Sequence, residues 1–171
     1  MEVLIDANAI RERVSALGKE ISRAHQGEEL VVVGVLTGCF VFMADLVRAI
    51  DVPVQCAFLG LSSYGAETES SGVVEITKDL TFPIAQRPVL VVEDIVDTGL
   101  TMAYLLDNLK TRQPASLQVA TLLSKPARRR VQVPVDYVGF TIEDHFVVGY
   151  GMDHGGRHRE LPHIAVLEEL T

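Results

Sequence analysis

Val89-Leu90-Val91-Val92-Glu93-Asp94-Ile95-Val96-Asp97-Thr98-Gly99-Leu100-Thr101 is the stretch that decides the fold. Four apolar residues run into two adjacent carboxylates, a third carboxylate and a Thr-Gly-Leu-Thr turn. A continuous apolar run reads as a strand buried on both faces, the kind found in parallel sheets covered by helices. The strand is predicted over 89–92 and a helix over 102–112. A buried strand that ends in carboxylates is hard to explain by folding alone, and the cluster suits a sugar phosphate and a divalent cation.

The same alternation extends in both directions. Ile10, Val14, Leu17 and Ile21 recur at helical spacing and predict a helix over 7–25. Strands are predicted over 30–36, 54–61, 73–78, 117–123, 136–142 and 146–150, with a helix over 40–50. A last edge strand is expected over 163–167. The stretch 62–72 is small and polar (Ser-Ser-Tyr-Gly-Ala-Glu-Thr-Glu-Ser-Ser-Gly) and reads as a mobile loop. Strand and helix in alternation imply an α/β fold with a mostly parallel central sheet flanked by helices. In such sheets ligands bind beyond the carboxyl ends of the strands. Three breaks fall there: Thr37-Gly38, residues 93–101, and Lys125.

The chain has 171 residues, which predicts one domain. Lys and Arg total 15 against 23 Asp and Glu, a net charge of −8. That balance argues against non-specific binding to nucleic acid or an anionic membrane. An anionic substrate stays open, because a metal or a few local cations can reverse the field at one site. Cys39 and Cys56 form no CxxC pair, so neither zinc nor a disulfide framework is indicated. No signal-peptide pattern opens the chain, and a cytoplasmic location is expected.

The turn at 97–101 joins a strand to a helix, where unpaired amides and the helix dipole attract a phosphate. Gly99 allows close approach, and Thr98 and Thr101 add hydroxyl donors. The bland alternative is a helix cap made by Asp97 or Thr98. Glu93-Asp94 tips the balance toward a ligand. Two neighbouring carboxylates repel and lose hydration, so they call for hydroxyl donors or Mg²⁺.

Residues 89–101 resemble the signature with which type I phosphoribosyltransferases bind 5-phosphoribosyl 1-pyrophosphate. The resemblance continues through Leu36-Thr37-Gly38-Cys39-Phe40, Ser63-Tyr64, Leu123-Ser124-Lys125, Phe146-Val147-Val148-Gly149-Tyr150, Asp153 and Arg159. Together these motifs are similar to the hypoxanthine-guanine branch of bacterial size.

This resemblance implies one domain over 1–171 with a small hood formed by the termini, and a catalytic loop at about 62–74 carrying Ser63 and Tyr64. It implies that Glu93 and Asp94 hold the ribose, directly or through Mg²⁺. Residues Asp97, Thr98, Gly99, Leu100 and Thr101 would wrap the 5-phosphate, and Asp97 would be the acid/base group at purine N7. Lys125 would donate to the purine O6, Phe146 would stack on the ring, and the Val147 backbone would bond its edge. Asp153 would lie beside the base and on a second Mg²⁺. Thr37, Gly38 and Arg159 would meet pyrophosphate, with a cis peptide at Leu36–Thr37. Many members carry Lys or Arg where this chain has Thr37.

The implied substrates are the sugar pyrophosphate with hypoxanthine or guanine, and the products IMP or GMP with pyrophosphate. No nucleic acid or membrane partner is implied, and a homodimer or homotetramer is. Xanthine stays open as a third base. A regulator that binds the sugar pyrophosphate and then RNA or DNA is the alternative from another class, and a plain nucleotide-binding module is a third reading. The run Arg128-Arg129-Arg130 reads as a solvated turn, and His154 and His158 as loop residues.

Overall fold

The computed structural model describes residues 1–63 and 74–167. The strands are β1 (Glu2–Ile5), β2 (Leu30–Leu36), β3 (Val54–Ser63), β4 (Val74–Lys78), β5 (Pro88–Val96), β6 (Ser116–Ser124), β7 (Tyr137–Thr141), β8 (Val147–Val148) and β9 (Ile164–Val166). The helices are α1 (Ala7–Ala24), α2 (Phe40–Arg48) and α3 (Leu100–Lys110), and a 3-10 turn spans Pro126–Arg128.

Six strands form one sheet in the order β4-β3-β2-β5-β6-β7. All neighbours run parallel except β4, which lies antiparallel to β3 at the edge. The chain builds outward from β2 to β3, crosses to β5 on the other side of β2, and continues to β6 and β7. The switch point is therefore between β2 and β5, where an open parallel sheet leaves a crevice for ligands.

The apolar strands serve two faces, because successive side chains point to opposite sides. Leu30, Val32, Leu90, Val92, Ala120 and Leu122 pack with α1 and α2. Val31, Val33, Val89, Val91 and Val119 pack with Met102, Leu105, Leu106 and Leu109 of α3. The predicted helix at the N-terminus starts where a side chain can cap it. The Asp6 carboxylate accepts from the Asn8 amide at 2.8 Å and the Ala9 amide at 2.9 Å.

A second sheet has the order β1-β9-β8, all antiparallel. The two ends of the described chain thus make the hood. Here the structure corrects two expectations. β9 is the central strand of this sheet, not an edge, because β1 pairs with its free side. The strand predicted over 146–150 is only Val147–Val148. Gly149, Tyr150 and Gly151 all have left-handed backbones (φ 103°, 49° and 99°), which no strand accommodates. Among the described residues, no helix is long and apolar enough to cross a membrane.

Candidate active site

β5 does not stop at its carboxylates. It loses β2 after the pair Gly34–Val92 but keeps its ladder with β6 through Glu93–Thr121 to Val96–Ser124. Glu93 and Asp94 are therefore held on a rigid strand just where the sheet opens on one side. The Leu36–Thr37 peptide is cis, and the turn that follows folds over the opening. A Cβ on Gly38 would overlap Asp94 Oδ2, so only glycine fits there. Gly38→Ala is expected to lower stability by about 1–3 kcal/mol, as overpacking does. It should also raise KM for the sugar pyrophosphate. Thermal unfolding and steady-state kinetics check both.

The two carboxylates are poorly compensated. Asp94 Oδ1 accepts from the Ile95 amide at 2.8 Å, and Glu93 Oε1 from the Asp94 amide at 3.2 Å. Burial, and then the neighbouring Asp94 charge, push the Glu93 carboxyl well above its usual range. Burial also raises Asp94, opposed by hydrogen bonds from its surroundings and by the positive charge of Arg159. A carboxyl raised in the folded state binds its proton more tightly there than when unfolded. Its stabilising effect is full below the ordinary value of 4.5 and is lost as pH climbs to the folded value. Near neutral pH the buried Glu93 carboxyl therefore makes the ligand-free protein less stable than it is at low pH. Glu93→Gln should raise the ligand-free melting temperature by about 2–4 °C near neutrality, what about 1 kcal/mol does in a chain of this length. It should change nothing below pH 4.5, a contrast that melting curves across pH will show.

The turn after β5 is capped by backbone, not by a carboxylate. Gly99 is the N-cap of α3, with φ 85° and no side-chain cap. The Thr98 hydroxyl accepts from the Leu100 amide at 3.3 Å. The alternative of a cap by the Asp97 carboxylate does not hold, and that carboxylate faces the pocket. Residues 97–99 and Thr101 surround a small hollow beside Glu93, at the first turn of α3.

A clamp that the sequence reading missed holds this turn. Arg129 Nε donates to the Asp97 carbonyl at 3.1 Å, and its Nη2 to the Val96 carbonyl at 3.4 Å and to Ser124 Oγ at 3.0 Å. The Arg130 and Val131 amides donate to the Thr98 carbonyl at 2.8 and 3.2 Å. The carbonyls of the turn are thus drawn to one side, and its amides, apart from that of Leu100, are left for an anion. Arg128 pairs with the Asp97 carboxylate at 2.8 Å. Within the basic run Arg128 and Arg130 stay exposed and Arg129 turns inward, and nothing in the local sequence marks which of the three does so.

Lys125 follows β6, with its amide bonded to the Val96 carbonyl at 3.0 Å. It is 6% exposed, far from the usual fate of a lysine, and its Nζ lies 3.8 Å from Asp144. Phe146 is 50% exposed, and the edge of His154 meets its ring at a centroid distance of 5.5 Å. Lys125, Phe146, Val147, Asp153, Asp94 and Asp97 all line one pocket of about 710 Å³, the size of a small-ligand site. A larger hollow of about 900 Å³ lies against α1 and α2 beside Phe40 and Tyr150, and none of the predicted purine residues lines it.

Arg159 Nη2 pairs with Asp153 Oδ1 at 2.8 Å, and its Nη1 donates to the Gly151 carbonyl at 2.6 Å. Asp153 Oδ2 accepts from the Gly156 amide at 2.7 Å. A Cβ on Gly151 would overlap the Gly38 carbonyl, so this segment lies directly on the Gly38 turn. The structure thus brings Thr37-Gly38, Asp94, Asp153 and Arg159 together. Among the described residues, no group of three His, Cys, Asp or Glu is placed to hold a metal alone. Ser63 ends β3, and Tyr64 with the rest of the expected loop to residue 73 lies outside the described residues.

A family model described as a phosphoribosyl transferase domain matches residues 3–154. The chain is 50% identical to the hypoxanthine phosphoribosyltransferase of Haemophilus influenzae, over 99% of this chain and 97% of that one. It is 49% identical to the hypoxanthine-guanine phosphoribosyltransferase of Mycobacterium avium, over 97% and 85%. Among solved structures, a hypoxanthine-guanine phosphoribosyltransferase from Bacillus anthracis superposes with a TM-score of 0.94 at 45% identity, covering 98% of this chain and 99% of that one. The fold therefore has solved counterparts, and the chain belongs to the phosphoribosyltransferase family.

Proposed function

We infer that this protein is a purine-salvage enzyme that transfers the 5-phosphoribosyl group from 5-phosphoribosyl 1-pyrophosphate to N9 of hypoxanthine or guanine. The observation that carries this reading is Asp97. Its carboxylate caps no helix, and among the described residues its Oδ1 has the Arg128 guanidinium 2.8 Å away as a charge partner but no aligned hydrogen bond. It lines the same pocket as Lys125 and Phe146, one residue before the phosphate turn. A carboxylate that supports no helix start and faces the pocket is placed to accept a proton from a bound base.

In the reaction the N9–C1′ bond forms as the C1′–oxygen bond to pyrophosphate breaks. The N7 proton passes to Asp97, which makes N9 the better nucleophile. Lys125 donates to the purine O6, Phe146 stacks on the ring, and the Val147 backbone bonds its edge. The amides of residues 98–101, with the Thr98 and Thr101 hydroxyls, hold the 5-phosphate. Glu93 and Asp94 take the ribose hydroxyls. Thr37, Gly38 and Arg159 face the pyrophosphate, where the planar donors of Arg159 match phosphate oxygens.

Two buried, undercompensated carboxylates fit Mg²⁺, which is usually held by one or two carboxylates and completed by substrate phosphates. Glu93 and Asp94 would hold it on the ribose side, and Asp153 a second ion on the other. Bound Mg²⁺ would offset the charge that develops on the leaving pyrophosphate. The reading takes residues 1–171 as one domain that works in the cytoplasm as a homodimer or homotetramer. Incubation with hypoxanthine, the sugar pyrophosphate and Mg²⁺ should give IMP and pyrophosphate in equal amounts. No IMP from a folded protein would overturn the reading.

A further inference from the structure

Arg128 lines the purine pocket and has no part in the reaction just described. It ends the 3-10 turn after Lys125 and stands between two carboxylates. Its Nε is 2.8 Å from Asp97 Oδ1, and its Nη1 is 3.5 Å from Asp144 Oδ1. The contact with Asp97 is one of charge rather than a directed hydrogen bond, because Asp97 Oδ1 still accepts none. Arg128 is also not what keeps Asp97 in place, since Arg129 grips the backbone of Asp97 and Val96.

We propose that Arg128 is a positioning residue that shields the Asp97 carboxylate in the empty pocket and passes to Asp144 when a 6-oxopurine binds and gives Asp97 its N7 proton. This rests on the reading of Asp97 as the N7 base. Three features of the site favour the transfer. The guanidinium holds one oxygen of the carboxylate that is to accept the N7 proton, and so competes with the base for it. Once Asp97 carries the proton it is neutral, and Arg128 loses the partner that balanced it. Asp144 keeps its charge and is already within reach. Both moving side chains are open enough to shift, at 44% exposed for Arg128 and 53% for Asp144. Asp144 is thereby the receiver that keeps a cation from lingering on the base.

The test is a pair of single variants and their combination, assayed for IMP formation at saturating sugar pyrophosphate. Wild-type turnover comes first, because its absence would sink the underlying reading rather than the transfer. Asp144→Asn removes the receiver and should lower kcat/KM for hypoxanthine by about three- to fivefold, the scale of a half-exposed ion pair. Arg128→Met should lower KM for hypoxanthine by about two- to fivefold, since no ion pair competes with the base. The combination should recover to the level of Arg128→Met alone, because Asp144 acts through Arg128. A double variant as slow as Asp144→Asn would overturn the proposal and assign the Asp144 effect to Lys125, its other neighbour. A raised KM for hypoxanthine with Arg128→Met alone would also overturn it. A crystal structure of the unmodified protein with IMP gives an independent check. Arg128 should lie on Asp144, and a guanidinium still on Asp97 would contradict the proposal.

Discussion

Asp97→Asn is expected to cut kcat for hypoxanthine by about 10²–10⁴-fold, the usual contribution of a positioned acid–base group. KM for the sugar pyrophosphate should change far less. The split follows from the geometry. Asn has the shape of Asp, so the pocket keeps its volume, but its amide accepts no proton from N7. The carboxylate caps nothing, since Gly99 starts α3. The Asp97 backbone is held by Arg129 whatever side chain it bears. The amides at 98–101 therefore stay in place for the 5-phosphate. Steady-state kinetics in both substrates check this, and equal losses in kcat and in sugar-pyrophosphate affinity would make Asp97 a structural residue.

Lys125→Met should lower kcat/KM for hypoxanthine by roughly 10- to 100-fold, the worth of one charge-assisted hydrogen bond. The same change should leave adenine turnover level or raise it. Lys125 is buried, and its one ion-pair partner among the described residues is distant at 3.8 Å. An ammonium in that position donates to a 6-oxo group, whereas the 6-amino group of adenine would face it donor to donor. Mismatches of this kind discriminate strongly because the buried donor is left unpaired. Met keeps most of the apolar stem and removes the charge. Kinetics with each base should show the ratio of hypoxanthine to adenine falling. A fall in both by the same factor would mean that Lys125 only supports the fold.

The main sheet was legible because its strands are continuous apolar runs and its helices are amphipathic. Residues 7–25 and 30–36 were predicted almost to the residue, against Ala7–Ala24 and Leu30–Leu36. The strand at Val89 was predicted four residues short at its end, because two carboxylates look like a strand leaving the core. They stay in the strand because β6 continues beside them to Ser124. The three-stranded hood was legible only in part, since β1 and β9 are distant in the chain and each is too short to carry a pattern. Three left-handed residues at 149–151 were hidden because Tyr150 lies between two glycines.

The site divides in the same way. The predicted residues on the main sheet and the tail converge on one crevice, because strand ends in a parallel sheet must meet there. Arg128, Arg129 and Asp144 were not found. Their roles depend on a 3-10 turn that folds back on residues 96–98, and a run of three arginines gives no sign of which side chain turns inward. His154 was set aside as a loop residue, and its contact with Phe146 needs the turn at 149–151 to bring the two rings together.

The most direct test of the central claim is one reaction containing equal amounts of hypoxanthine, guanine, xanthine and adenine, with the sugar pyrophosphate and Mg²⁺. The nucleotides formed are then separated and quantified. The account predicts IMP and GMP, with AMP near the detection limit. AMP as a main product would contradict it, and so would the absence of any nucleotide.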